Sequence, residues 1–94
     1  MEATWDQCKE RANIRKHGVD FADAAVALED EHALTAAFHE NDEERYKTLA
    51  ESQVQGVLLI IHTEYDGETV RIISARHANR TQRLRYYQGL PLDD

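Results

Sequence analysis

The chain has 94 residues, 41% of them hydrophobic, which suffices for one domain with a modest core and not for two. Its one cysteine, Cys8, excludes an intramolecular disulfide and a cysteine-rich zinc site. Eleven Lys and Arg against eighteen Asp and Glu leave a formal charge of −7, which disfavours broad adhesion to nucleic acid or to anionic membranes.

The chain starts acidic over residues 1–6 with no apolar segment behind it, unlike a secretory signal, so a cytoplasmic protein with one domain over residues 1–94 is expected. A short first strand fits residues 3–5. Asp6 then caps a helix that Gly18 stops in the left-handed conformation. Trp5, Cys8 and Ala12 mark a narrow apolar side of it, while Lys9, Asn13, Lys16 and His17 recur at three- and four-residue intervals on another. So charged a helix belongs at the edge of a fold. Asp20 starts a second helix, with Asp23 in its first turn and Phe21, Ala24, Ala25 and Leu28 as its buried stripe. The acidic run at 29–31 ends it.

From residue 33 the period changes. Residues 33–40 read as a weak strand and residues 45–51 as an alternating one. Gln55-Gly56 marks a turn before a continuous apolar strand from 57 to about 65, whose core at 57–61 is far short of the roughly 20 residues of a membrane span. Asp66-Gly67 signals a hairpin into a fourth strand at 69–75. Asn79 caps a basic helix over 80–88, ended by Gly89 and Pro91. The fold class is α+β: two N-terminal helices on one face of a four-stranded antiparallel sheet, with a short basic C-terminal helix.

Charge is unevenly spread. Residues 71–94 carry five arginines and two acids, leaving six bases and sixteen acids in the first seventy residues. Lys9, Arg11, Arg15 and Lys16 form a second basic cluster. The five histidines show no metal-ligand spacing, Ser74 sits on no nucleophile elbow, and no glycine-rich phosphate loop exists, so neither a metal nor another cofactor is expected. What remains is cationic chemistry. Arginine binds phosphate oxygens through a charged fork and can stabilise a pentavalent phosphorane, and His17 can move protons near neutral pH. The plain alternatives stay open: Arg71 and Arg76 also suit strand ends paired with acids, and His17 also suits a helix C-terminus favoured by the dipole.

The blocks Trp5-Asp6-x-x-Lys9-x-x-x-Asn13-x-x-Lys16-His17-Gly18-Val19-x-Phe21-x-x-Ala24, Glu44-Arg45-Tyr46 and Arg71-Ile72-Ile73-Ser74-Ala75-Arg76-x-Ala78 together resemble the BrnT toxins of bacterial type II toxin–antitoxin modules. The resemblance spans roughly residues 5 to 87. It implies a RelE-like fold and a metal-independent ribonuclease that inhibits translation by cutting RNA. It also implies a BrnA-type antitoxin as partner, with DNA contacted only through that antitoxin. On the matched positions, Arg45 and Arg76 are expected to bind the phosphate and its transition state, with His17 or Lys16 transferring protons. Lys9, Asn13, Arg71, Arg80 and Arg83 would hold the RNA backbone.

Three positions depart from the family pattern. Val57 stands where an arginine often follows the glycine, Gln82 where the last helix usually has glutamate, and Leu49-Ala50 where an Ile-Gly pair is usual. The missing arginine motivates an alternative, a weakened homologue that binds its antitoxin without catalysis and tunes its operon.

Overall fold

The structure, a computed structural model, describes residues 1–64 and 67–92. Strand β1 (Glu2–Thr4) leads into helices α1 (Gln7–His17) and α2 (Phe21–Ala27). Strands β2 (Leu34–Glu40), β3 (Glu43–Ser52), β4 (Gly56–Glu64) and β5 (Thr69–His77) follow, then helix α3 (Arg80–Gln88). The sheet order is β1-β5-β4-β3-β2. The four expected strands thus form an antiparallel meander, but the sheet has five strands and is mixed: β1 pairs parallel to β5, through Glu2↔Thr69, Ala3↔Val70 and Thr4↔Arg71. The connection between them, two helices and three strands, supplies the long crossover that a parallel pairing requires. The strand end at Tyr65 and the Asp66 half of the Asp66-Gly67 turn lie outside the described residues.

The caps form as the sequence implies. Asp6 accepts from the Lys9 backbone N–H at 3.0 Å and Asp20 from that of Asp23 at 2.7 Å. Gly18, with φ 73°, ends α1 in the left-handed region, where a side chain would be strained. At α3, Asn79 accepts from the Gln82 N–H at 2.8 Å while the Gln82 side chain accepts from the Asn79 N–H at 2.9 Å. Gln82 therefore completes a capping box as a glutamate would. Asn41 and Asp42, both at positive φ, make a two-residue β2–β3 turn whose twist matches that of the strands it joins.

Helices lie on both faces of the sheet, not on one as expected. Val19, Phe21, Ala24 and Ala27 pack with Ala50, Leu58, Ile60, Ile72 and Ala75 on the α1/α2 face, where Trp5 meets Phe21 edge-to-face at 6.2 Å. On the other face, Ala78 and Tyr86 at the α3 end cover Leu49, Val57 and Leu59. The reason is visible in β4, where residues 57–60 are all buried. A strand with uninterrupted apolar residues needs cover on both sides.

Candidate active site

Helix α3 covers only one end of its face. At the other end, three strands contribute one side chain each to a cross-strand row. Thr63 of β4 pairs with Arg71 of β5, and Arg45 of β3 lies one residue past the Tyr46↔His62 pair, opposite Thr63. Opposed residues of antiparallel strands point to the same side. Arg45, Thr63 and Arg71, with Lys9 and Ile73, line a concavity of about 430 Å³ that also touches Glu43, Glu44 and Glu64.

Lys9 reaches this concavity because α1 is tied to the edge of β5 that β1 leaves open. The Asn13 carboxamide donates to the carbonyls of Val19 (2.9 Å) and Ala75 (2.8 Å) and accepts from the Ala75 N–H (3.1 Å). Asn13 is buried, and its amide acts as one more rung of the sheet. This corrects the expectation that Asn13 contacts RNA: its polar atoms are committed to backbone, and its role is to dock the helix. Asp6, beside the same site, has its carboxyl held below its ordinary value by the Lys9 N–H, assisted by the Arg71 and Lys9 charges.

The polar groups here are unevenly satisfied. Arg45 donates from Nη1 to Glu40 at 3.4 Å, with its side chain about one-fifth exposed. Its Nε and the Thr63 hydroxyl are buried, and among the described residues neither has a hydrogen-bond partner. Neither Arg71 nor Arg76 is ion-paired with a carboxylate among the described residues. The three carboxylates offset the formal charge of the three cations. Anion binding would therefore rest on directed N–H and O–H donors more than on net field.

A second cationic group lies further along β5. Arg76 pairs with Leu59, on the α3 face, and is exposed. His17, at the end of α1, has Lys16, Arg76 and His77 as its electrostatic neighbours. Partial burial, then those charges, push the imidazole below its ordinary value. Arg71 and Arg76 are separated by five residues of strand, on the order of 15 Å. The residues expected together at the scissile phosphate are thus divided: Arg45 lies in the concavity with Lys9 and Arg71, while Arg76 groups with Lys16 and His17 further along β5.

On α3, Arg80 is exposed and Arg83 donates to the Ala78 carbonyl at 2.8 Å, which pins the start of the helix. Sequence reasoning passed over Thr63, and also Lys47, which sits 5.5 Å from the centre of the Phe38 ring. Both were accessible through strand alternation: Lys47 is two residues from Arg45, and Thr63 is Arg71's cross-strand partner. The Val57 departure takes a different meaning, since Val57 is buried beneath Tyr86 and Ala78 as a core residue. No helix among the described residues is long and apolar enough to cross a membrane.

The family model for the ribonuclease toxin BrnT of type II toxin–antitoxin systems matches residues 5–82. Among solved structures, the crystal structure of the Brucella abortus ribonuclease toxin BrnT is similar at 28% identity and a TM-score of 0.62, covering 85% of this chain and 99% of that one. No curated protein matches. The matched region contains both cationic groups and strands β2 to β5, and the chain belongs to the BrnT family of ribonuclease toxins of type II toxin–antitoxin systems.

Proposed function

We propose that this chain is a metal-independent endoribonuclease of RelE-like architecture, restrained by a BrnA-type antitoxin and acting in the cytoplasm to inhibit translation. The observation that carries this is Arg76, exposed and without a carboxylate partner among the described residues, beside an imidazole biased toward its neutral form. A neutral His17 can accept the proton of a 2′-hydroxyl attacking the adjacent phosphorus. Arg76 supplies a fixed positive fork for the phosphorane oxygens, and a protonated Lys16 or His17 returns a proton to the departing 5′-oxygen. The concavity of Lys9, Arg45 and Arg71 holds a flanking phosphate, so that the strand crosses the face at a set register. Arg80 and Arg83 extend the track over α3. Any DNA contact belongs to the antitoxin.

Purified wild-type chain should cleave RNA in the presence of EDTA and leave 2′,3′-cyclic phosphate ends. Arg76→Ala should lose about 3–4 kcal/mol of transition-state stabilisation, a rate loss of roughly 100- to 1,000-fold. Undiminished cleavage by Arg76→Ala, or cleavage abolished by EDTA, refutes the assignment. The alternative, a non-catalytic antitoxin-binding homologue motivated by Val57 and the formal charge of −7, is favoured instead if the wild-type chain leaves RNA intact yet binds its antitoxin.

A further inference from the structure

We infer that Thr63 is a phosphate-contacting residue, its hydroxyl completing with Arg45 and Arg71 a three-donor cradle for one RNA phosphate; this rests on the reading of the concavity as an RNA-backbone site. Its position is central, since it pairs with Arg71 and lies opposite Arg45 across the β3–β4 ladder. All three line the same concavity. The hydroxyl has no partner among the described residues, and neither does the Nε–H of Arg45 across from it. A buried hydroxyl without a partner is a standing cost of about 1–3 kcal/mol, which a fold has no reason to keep for packing, because valine fills the same volume. Thr63 is only partly buried as a residue and lines the concavity, and no existing hydrogen bond has to break for its hydroxyl to turn about χ1 toward a ligand there. The ligand class follows from the donors. Two guanidinium groups and one hydroxyl present only N–H and O–H groups to an anion with several acceptor oxygens, which describes a phosphodiester.

Thr63→Val separates this role from a structural one, because it keeps shape and removes only the hydroxyl. Binding is read by fluorescence anisotropy on an oligoribonucleotide whose 2′-hydroxyls are methylated so that it cannot be cut, and stability by urea unfolding. Thr63→Val should unfold at the wild-type urea midpoint or above it and bind the oligonucleotide about tenfold more weakly, the scale of one hydrogen bond to a charged group. Thr63→Ser should bind within about twofold of wild type, as expected when the hydroxyl is what matters. Should the valine variant not fold, Thr63→Ala carries the same expected loss. Wild-type affinity in a folded Thr63→Val or Thr63→Ala overturns the role of Thr63 alone. Failure of the wild-type chain to bind the oligonucleotide overturns the reading of the concavity, and this proposal with it.

Discussion

At the level of single side chains, polarity misleads most where a polar group replaces a backbone partner. Asn13 shares a helical spacing with Lys9, Lys16 and His17, and by sequence it belongs to their solvated side. Only the tertiary contact with Ala75 shows that its carboxamide finishes the edge of β5. Asn13→Ala should cost about 3 kcal/mol or more, since it strands two buried carbonyls and one N–H, and urea unfolding measures it. His62 is a second hidden polar group: it is buried, stacked on Tyr46 at 5.7 Å, and within 2.8 Å of the Thr48 hydroxyl. Burial pushes its pKa below the ordinary value, against smaller opposing effects of the Thr63 backbone and Glu64. The folded chain then binds a proton less readily than the unfolded one. His62 therefore favours folding at neutral pH, and that benefit drains away as pH falls below about 6.5. Urea midpoints at pH 7.5 and 5.5 should separate more in wild type than in His62→Gln; equal separation would mean the imidazole does not titrate unfavourably in the fold.

Among the elements, α3 best shows what a sequence pattern reveals and what it leaves out. Its span, its Asn79 cap and its Gly89 stop were all readable, because each depends on local backbone chemistry. Its face was not, because α3 has few apolar residues and its anchor is a single tyrosine. Tyr86 is buried over Leu49, Val57 and Leu59, and its phenol donates to Asp30 in the turn after α2. Burial and then that bond raise the phenol's pKa above its ordinary value. Asp30 also accepts the backbone N–H groups of Glu51 and His32, both at 2.9 Å; against its burial, the Tyr86 bond and then these two hold its carboxyl below the ordinary value. Tyr86→Phe should therefore cost only about 1–2 kcal/mol, since the carboxylate keeps two donors. Tyr86→Ala should cost about 3–5 kcal/mol, because it also empties the apolar contact. Similar losses in urea unfolding for both would show that the bond, not the packing, holds the helix. Strand β1 was less legible for a different reason: three residues are too few to show alternation, and its pairing depends on an edge 67 positions away.

Taken as a whole, the molecule is acidic, yet it gathers cations from three remote stretches, on the α3 face of the sheet and on α1 at the β5 edge. The family resemblance singled out most of these residues but assigned Arg45 and Arg76 to one phosphate. The pleat decides otherwise, since the residues from Arg71 to Arg76 span most of β5 and no single phosphate bridges that distance. The arrangement has a measurable consequence. A protein that grips RNA by neutralising many phosphates loses affinity steeply with salt, with a slope of log K against log salt near −0.7 per phosphate for single strands. Here the carboxylates of Glu43, Glu44 and Glu64 border the concavity, and the body carries a formal charge of −7, so few phosphates can be neutralised. With about three phosphates engaged, two by the cationic groups and one along α3, the slope for the uncleavable oligoribonucleotide should be about −2. Arg71→Ala should make it shallower by about 0.7, and so should Arg76→Ala, independently, because the two groups engage different phosphates. A slope of about −5 or steeper would mean that RNA runs over far more of the basic surface than the two groups provide. A double variant no shallower than either single one would mean that both arginines hold the same phosphate.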